Sequence, residues 1–187
     1  DHSKTYTFRV DTVYCQREGL KIFSLAYIPE AQTASQAKAS NQATSATQTT
    51  KRHRKAKTQQ WPLVIYAHGI GSSHAAGEPY AKALVQKGYA VYTFDFCGSS
   101  ARSKSDGNVD DMTIFTEKEN IEDIYREVSS WDYVDKDRMA LLGCSQGGLV
   151  AAVTAAANPD LFKDLILVYP ALNIPNTASR MLATPWK

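Results

Sequence analysis

From Trp61 onward, short apolar runs alternate with stretches of helical patterning, and this alternation limits the fold more than any other feature of the 187-residue chain. Leu63 to Ala67, Tyr89 to Phe94, Met139 to Leu142 and Leu165 to Tyr169 read as buried strands, being short and rich in apolar and β-branched or aromatic residues. Between them lie three helical segments. Pro79 to Lys87 has Pro in its first turn and Gly88 as its stop. Thr116-x-x-Glu119 reads as a capping box ahead of Ile121, Ile124, Tyr125, Val128 and Trp131, which form one apolar helical stripe. Leu149 to Ala157 is Ala-rich and apolar on all sides, the composition of a buried helix. Repeated β-α-β units of this kind predict an α/β fold: a mostly parallel sheet with helices on both faces, forming a single domain over residues 1–187. Two earlier runs, Tyr6 to Val10 and Leu20 to Ile28 with Gly19 between them, predict an antiparallel pair at a sheet edge.

Residues 31–60 break this pattern. They are an Ala/Ser/Thr/Gln/Asn tract followed by the basic cluster KRHRKAK at 51–57, and they contain six basic residues and no acid. The rest of the chain then holds 15 basic against 19 acidic residues, so the formal charge of +2 conceals a mildly acidic body. Such a segment buries too little apolar surface to offset its ordering entropy, which predicts a disordered low-complexity basic insertion. Without interleaved aromatics it reads as a solvated linker, and no nucleic-acid partner is expected. No apolar run approaches the ~18 residues of a membrane span. Cys15, Cys97 and Cys144 are far apart and lack metal-ligand spacing, so no metal or cofactor is expected. Three sparse thiols suit a reducing compartment, and the expected location is cytoplasmic, although a removed leader is compatible with the missing initiator Met.

The chemistry concentrates at Gly143-Cys144-Ser145-Gln146-Gly147, a G-x-S-x-G placed where the Met139 run ends and the Ala-rich helix begins. At such a turn a serine is forced into a strained conformation that lifts its Oγ clear of the sheet, and Gly143 and Gly147 leave room for close backbone approach. The helix behind it aims free N–H groups and its positive dipole end at the same point. The competing assignment makes Ser145 an ordinary N-cap. His68-Gly69-Ile70-Gly71 follows the Leu63 run and is a candidate second half of an oxyanion hole.

HGIGSS at 68–73, YTFDFCGSS at 92–100, SDG at 105–107 and GCSQGG at 143–148, in this order, resemble the α/β-hydrolase superfamily. Within it the likeness is to serine esterases, including bacterial cinnamoyl (feruloyl) esterases and monoacylglycerol-lipase-like enzymes. The resemblance implies Ser145 as nucleophile and the backbone N–H groups of Ile70 and Gln146 as oxyanion donors, each worth about 3 kcal/mol to the transition state. It implies a structural His68 bracing the oxyanion loop with Gly69, a packing role for Cys144 and a turn-stabilising carboxylate at Asp95. His74 could line the site or cap a helix, and the surface reading is the one preferred.

The same resemblance exposes a gap. The family's partners follow the nucleophile in the order Ser, Asp or Glu, then His. Here His2, His53, His68 and His74 all precede Ser145, and the only later acids are Asp160 and Asp164. The expectation is an N-terminal portion of a serine hydrolase of carboxylic esters, lacking the C-terminal lid and last strands. As such it would be weak or inactive, with a small-molecule ester as substrate and an exposed strand edge prone to self-association. A non-catalytic binding module, or a peptidase or thioesterase of the same fold, is the alternative.

Overall fold

The computed structural model describes residues 5–31 and 59–173, so the expected 31–60 insertion lies almost wholly outside the described residues. The elements are β1 (Phe8–Arg17), β2 (Leu20–Pro29), β3 (Trp61–Ala67), α1 (Glu78–Val85), β4 (Ala90–Phe94), α2 (Ile114–Val128), β5 (Val134–Cys144), α3 (Gln146–Ala157) and β6 (Asp164–Val168). They build a six-stranded sheet in the order β1-β2-β4-β3-β5-β6. The pairs β1–β2 and β2–β4 are antiparallel, while β4–β3, β3–β5 and β5–β6 are parallel. The chain has the α/β-hydrolase architecture that its sequence resembles.

Period-two side-chain alternation assigns each strand residue to a face. Leu63, Ile65, Ala67, Met139 and Leu141 pack with Ile121, Ile124 and Val128 of α2 and Val150 and Ala151 of α3. Val64, Tyr66, Leu142 and Cys144 point the other way, against Ala81 and Val85 of α1. A sheet covered on both faces has no polar side, which is why its central strands read as continuous apolar runs.

Several boundaries differ from the sequence expectation. The β1–β2 hairpin runs through to Arg17 and Leu20, because Glu18 (φ 46°) and Gly19 (φ 86°) make a two-residue turn. β5 begins at Val134, five residues before its apolar run: Val134 pairs with Trp61, and a register shift separates that pair from Leu63–Met139. The α2 cap is Thr113, whose hydroxyl accepts from the Thr116 N–H while Thr116 Oγ1 accepts from the Thr113 N–H. The helix therefore starts three residues before the expected Thr116–Glu119 box, since a Thr at the third helical position reciprocates as a Glu would. It also ends at Val128, leaving Trp131 beyond the helix but packed on the core.

β6 occupies the sheet edge among the described residues, and Leu165, Ile166 and Leu167 are 40%, 40% and 36% exposed. Their apolar character is that of a covered strand, yet among the described residues this edge leaves them exposed.

Candidate active site at the carboxyl ends of the parallel strands

Ser145 joins β5 to α3 with φ 54° and ψ −123°, a region that a residue with a side chain occupies only under constraint. Its backbone is held from both sides: the Ser145 N–H donates to Val168 O (3.2 Å), and Ser145 O accepts from Ala171 N (2.9 Å) and Gly148 N (3.0 Å). The turn closes only because two glycines let backbones meet. A Cβ on Gly147 would overlap the carbonyls of Ala67 and His68, and one on Gly143 would overlap the Gly147 carbonyl and stand 2.7 Å from Gly148 Cα. Although Ser145 occupies the N-cap position, its side chain makes no capping bond, which removes the ordinary N-cap assignment. The N–H of Gln146, first residue of α3, has no acceptor within the helix.

The loop after β3 packs directly on this turn. A Cβ at Gly69 would lie 3.1 Å from Ser145 Cβ and 3.5 Å from Ser145 Oγ, so the loop carrying Ile70 runs alongside the hydroxyl. His68, 1% exposed, pins the loop: the Phe96 N–H donates to His68 Nε2 (3.1 Å), and His68 Nδ1–H donates to Gly69 O (2.8 Å). Accepting at one ring nitrogen and donating at the other defines a neutral tautomer. Burial pushes the imidazole below its ordinary range, in keeping with that state. Ser72 N also donates to Gly69 O (3.2 Å), and Gly71, at φ 65°, completes the turn.

His74 corrects the surface expectation. Its side chain is only 12% exposed, and it spans to the fully buried Asp95: Asp95 Oδ1 accepts from the His74 N–H (2.6 Å) and from His74 Nδ1 (2.8 Å). Asp95 Oδ2 accepts from Lys104 N (2.8 Å), so this one carboxylate ties the loop after β3 to the loop after β4. It is the turn-stabilising residue expected, and the carboxylate is what draws His74 inward. Cys144 is buried in the α1-side cluster, as packing requires. Cys15 and Cys97 are buried free thiols as well.

Two polar residues of this region were missed from the sequence. Glu117, 2% exposed, accepts from Gln146 Nε2 through Oε2 (2.7 Å), and Asn120, 1% exposed, accepts from the Cys97 N–H through Oδ1 (2.9 Å). The signal was present, because Glu117 lies four residues before Ile121 on the buried stripe of α2. Burial raises its carboxyl from 4.5 to about 7, with the Gln146 hydrogen bond opposing.

The comparisons with known proteins fit this geometry. Residues 58–187 match the family described as serine aminopeptidase, S33. The chain belongs to that hydrolase family. It is 29% identical to human monoglyceride lipase over 110 residues, covering 58% of this chain and 34% of that protein. Among solved structures, Est1E from Butyrivibrio proteoclasticus with ferulic acid bound superposes with a TM-score of 0.68 at 25% identity, over 94% of this chain and 60% of that one. The α/β hydrolase GrgF from Penicillium sp. sh18 gives a TM-score of 0.65 at 19% identity, over 93% and 51%. The chain thus spans about a third of the lipase and three fifths of Est1E. Among the described residues no helix is long and apolar enough to cross a membrane.

Two outcomes follow for this hydrolase-family chain. Gly147→Ala forces apart the β3 and α3 backbones and lowers unfolding free energy by about 1–3 kcal/mol, measured in urea. Glu117 is protonated more readily folded than unfolded, so the stability it contributes is complete below pH 4.5 and is lost as pH rises to about 7. At about 1.4 kcal/mol per unit this reaches at most about 3 kcal/mol. Glu117→Gln, which keeps an acceptor for Gln146, removes that decline, and its stability advantage over the unchanged chain grows between pH 5 and pH 8.

Proposed function

We propose that this chain is the nucleophile-bearing portion of a serine hydrolase that cleaves carboxylic esters through an acyl-enzyme on Ser145. The observation that carries this reading is the strained, non-capping Ser145 at φ 54° with Gly69 packed on its side chain. In the proposed reaction Ser145 Oγ attacks the ester carbonyl, and the N–H groups of Gln146 and Ile70 hold the tetrahedral oxyanion. Collapse expels the alcohol, and water then releases the acid. His68 and Gly69 brace the donor loop, while Gly143 and Gly147 permit the turn.

The Ser145 proton needs an acceptor. Both nitrogens of His68 are engaged and His74 Nδ1 is held by Asp95, and neither histidine bonds the Ser145 hydroxyl. No histidine of the sequence follows Ser145, and the chain spans only part of its relatives' length, so we assign the base and its orienting carboxylate to the part those relatives have beyond the matched region, and propose that residues 1–187 alone have little esterase activity. The likeness to an esterase holding ferulic acid and to a monoglyceride lipase supports a small or aromatic acyl ester as substrate. The absence of a base bonded to Ser145 among the described residues also supports a second reading, a non-catalytic module that keeps the cleft. The family description and a likeness to a thioesterase domain keep peptidase and thioesterase chemistry as alternatives within the class.

We further propose that the outer edge of β6, which carries no further strand among the described residues, drives self-association, as an exposed apolar edge invites. Sedimentation of residues 1–187 then shows concentration-dependent assembly that Ile166→Lys weakens, and a monomer at high concentration contradicts it. For the chemistry, a version extended past Lys187 hydrolyses p-nitrophenyl acetate, and Ser145→Ala reduces kcat by on the order of a thousandfold or more. Undiminished turnover in that variant, or rapid hydrolysis by residues 1–187 alone, refutes the assignment.

A further inference from the structure

α2 reaches both the loop after β4 and the first turn of α3. From one buried face, Asn120 accepts from the Cys97 N–H in the loop after β4, and Glu117, one turn earlier, accepts from the side chain of Gln146 at the start of α3. These are directional bonds in a buried layer, where Ile121, Ile124 and Val128 continue the same face at 0% exposure. A leucine at position 117 would bury as well, without holding Gln146. A carboxyl there is costly to desolvate, and in return it gives Gln146 a single strong acceptor.

We propose that Glu117 is a positioning residue, which acts through the Gln146 side chain to set where the Gln146 N–H and the first turn of α3 stand relative to Ser145. This rests on the serine-hydrolase reading for its catalytic consequence, though the coupling itself does not. Gln146 is anchored at three points: its own peptide follows the strained Ser145, its helix packs on β5, and its amide is tied to α2. Loss of the third leaves the donor N–H free to shift by fractions of an ångström, and misplacement of about 1 Å costs on the order of a hundredfold in rate.

The ionisation of Glu117 provides a handle on this coupling. Of the titratable groups on the neighbouring loops, burial pushes the Cys97 thiol up to about 11 and the His68 imidazole below its ordinary range. On α2 itself, its chain neighbour Lys118 is paired with Glu122, and Glu119 with Arg17. On α3 the facing group is the uncharged Gln146.

The test is a pH titration by 1H–15N NMR of the chain labelled with 15N-glutamine, the Gln146 signals being assigned by their loss in Gln146→Asn. The Gln146 backbone and side-chain signals are expected to move together with a midpoint near pH 7, and Glu117→Gln is expected to abolish the movement while leaving a native spectrum. Gln146 signals that ignore pH between 5 and 9, or that still titrate in Glu117→Gln, overturn the proposal. In a version extended past Lys187, Glu117→Leu is expected to lower kcat for p-nitrophenyl acetate about tenfold or more at nearly constant KM, with Glu117→Gln restoring most of it. Equal kcat in all three also overturns it. Ser145→Ala separates the two ideas: if that variant keeps full activity the nucleophile reading fails, whereas the Gln146 titration still stands or falls by itself.

Discussion

The backbone at Ser145 is the constraint on which the site depends. A residue with a side chain at φ 54° costs about 1–3 kcal/mol, and it persists only where surrounding structure leaves no alternative. Here the surroundings are backbone on every side. Ser145 N is bonded to β6, Ser145 O to Ala171 and to α3, and Gly147 lies against the carbonyls of Ala67 and His68. The parallel order β3-β5-β6 is what brings these groups together, so the sheet and the elbow specify one another. A looser pairing of β5 would let the turn relax and lower the hydroxyl back toward the sheet.

Around that point the loops are tied by buried polar residues. His68 links the loop after β3 to Phe96, Asp95 links the same loop to Lys104, and α2 holds Cys97 and Gln146 through Asn120 and Glu117. Each of these groups would be costly to bury alone, and each accepts a hydrogen bond from a backbone N–H or amide donor of a different segment, while Asn120 Nδ2 has no partner among the described residues. These bonds brace the loops against one another. Bracing of this kind suits the acyl transfer proposed for Ser145, whose donors must already face the place where charge develops.

What was legible in the sequence was whatever depends on local pattern. The glycines at 143 and 147, the apolar run before Ser145 and the Ala-rich stretch after it state the elbow without help, and the β-α-β alternation states the sheet. The helix caps were less legible: Thr113 and Thr116 form a reciprocal box whose second member lacks the usual Glu. The reach of β5 back to Val134 was hidden because Asp135 to Arg138 are polar and only pairing with Trp61 extends the strand to them. His74 was misplaced for a related reason, since nothing in its own segment reveals that the Asp95 carboxylate stands behind it.

By itself, then, the sequence determined the class of fold, the identity of the nucleophile candidate and the turn that would present it, because backbone periodicity and glycine placement act over a few residues. Tertiary structure alone decided which side chains share a buried space: His68 with Phe96, His74 with Asp95, and Glu117 with Gln146 across a gap of 29 positions. Burial and hydrogen-bond partnership are properties of the packed layers, and the pull of a desolvated carboxyl on its nearest donor exists only once those layers have closed.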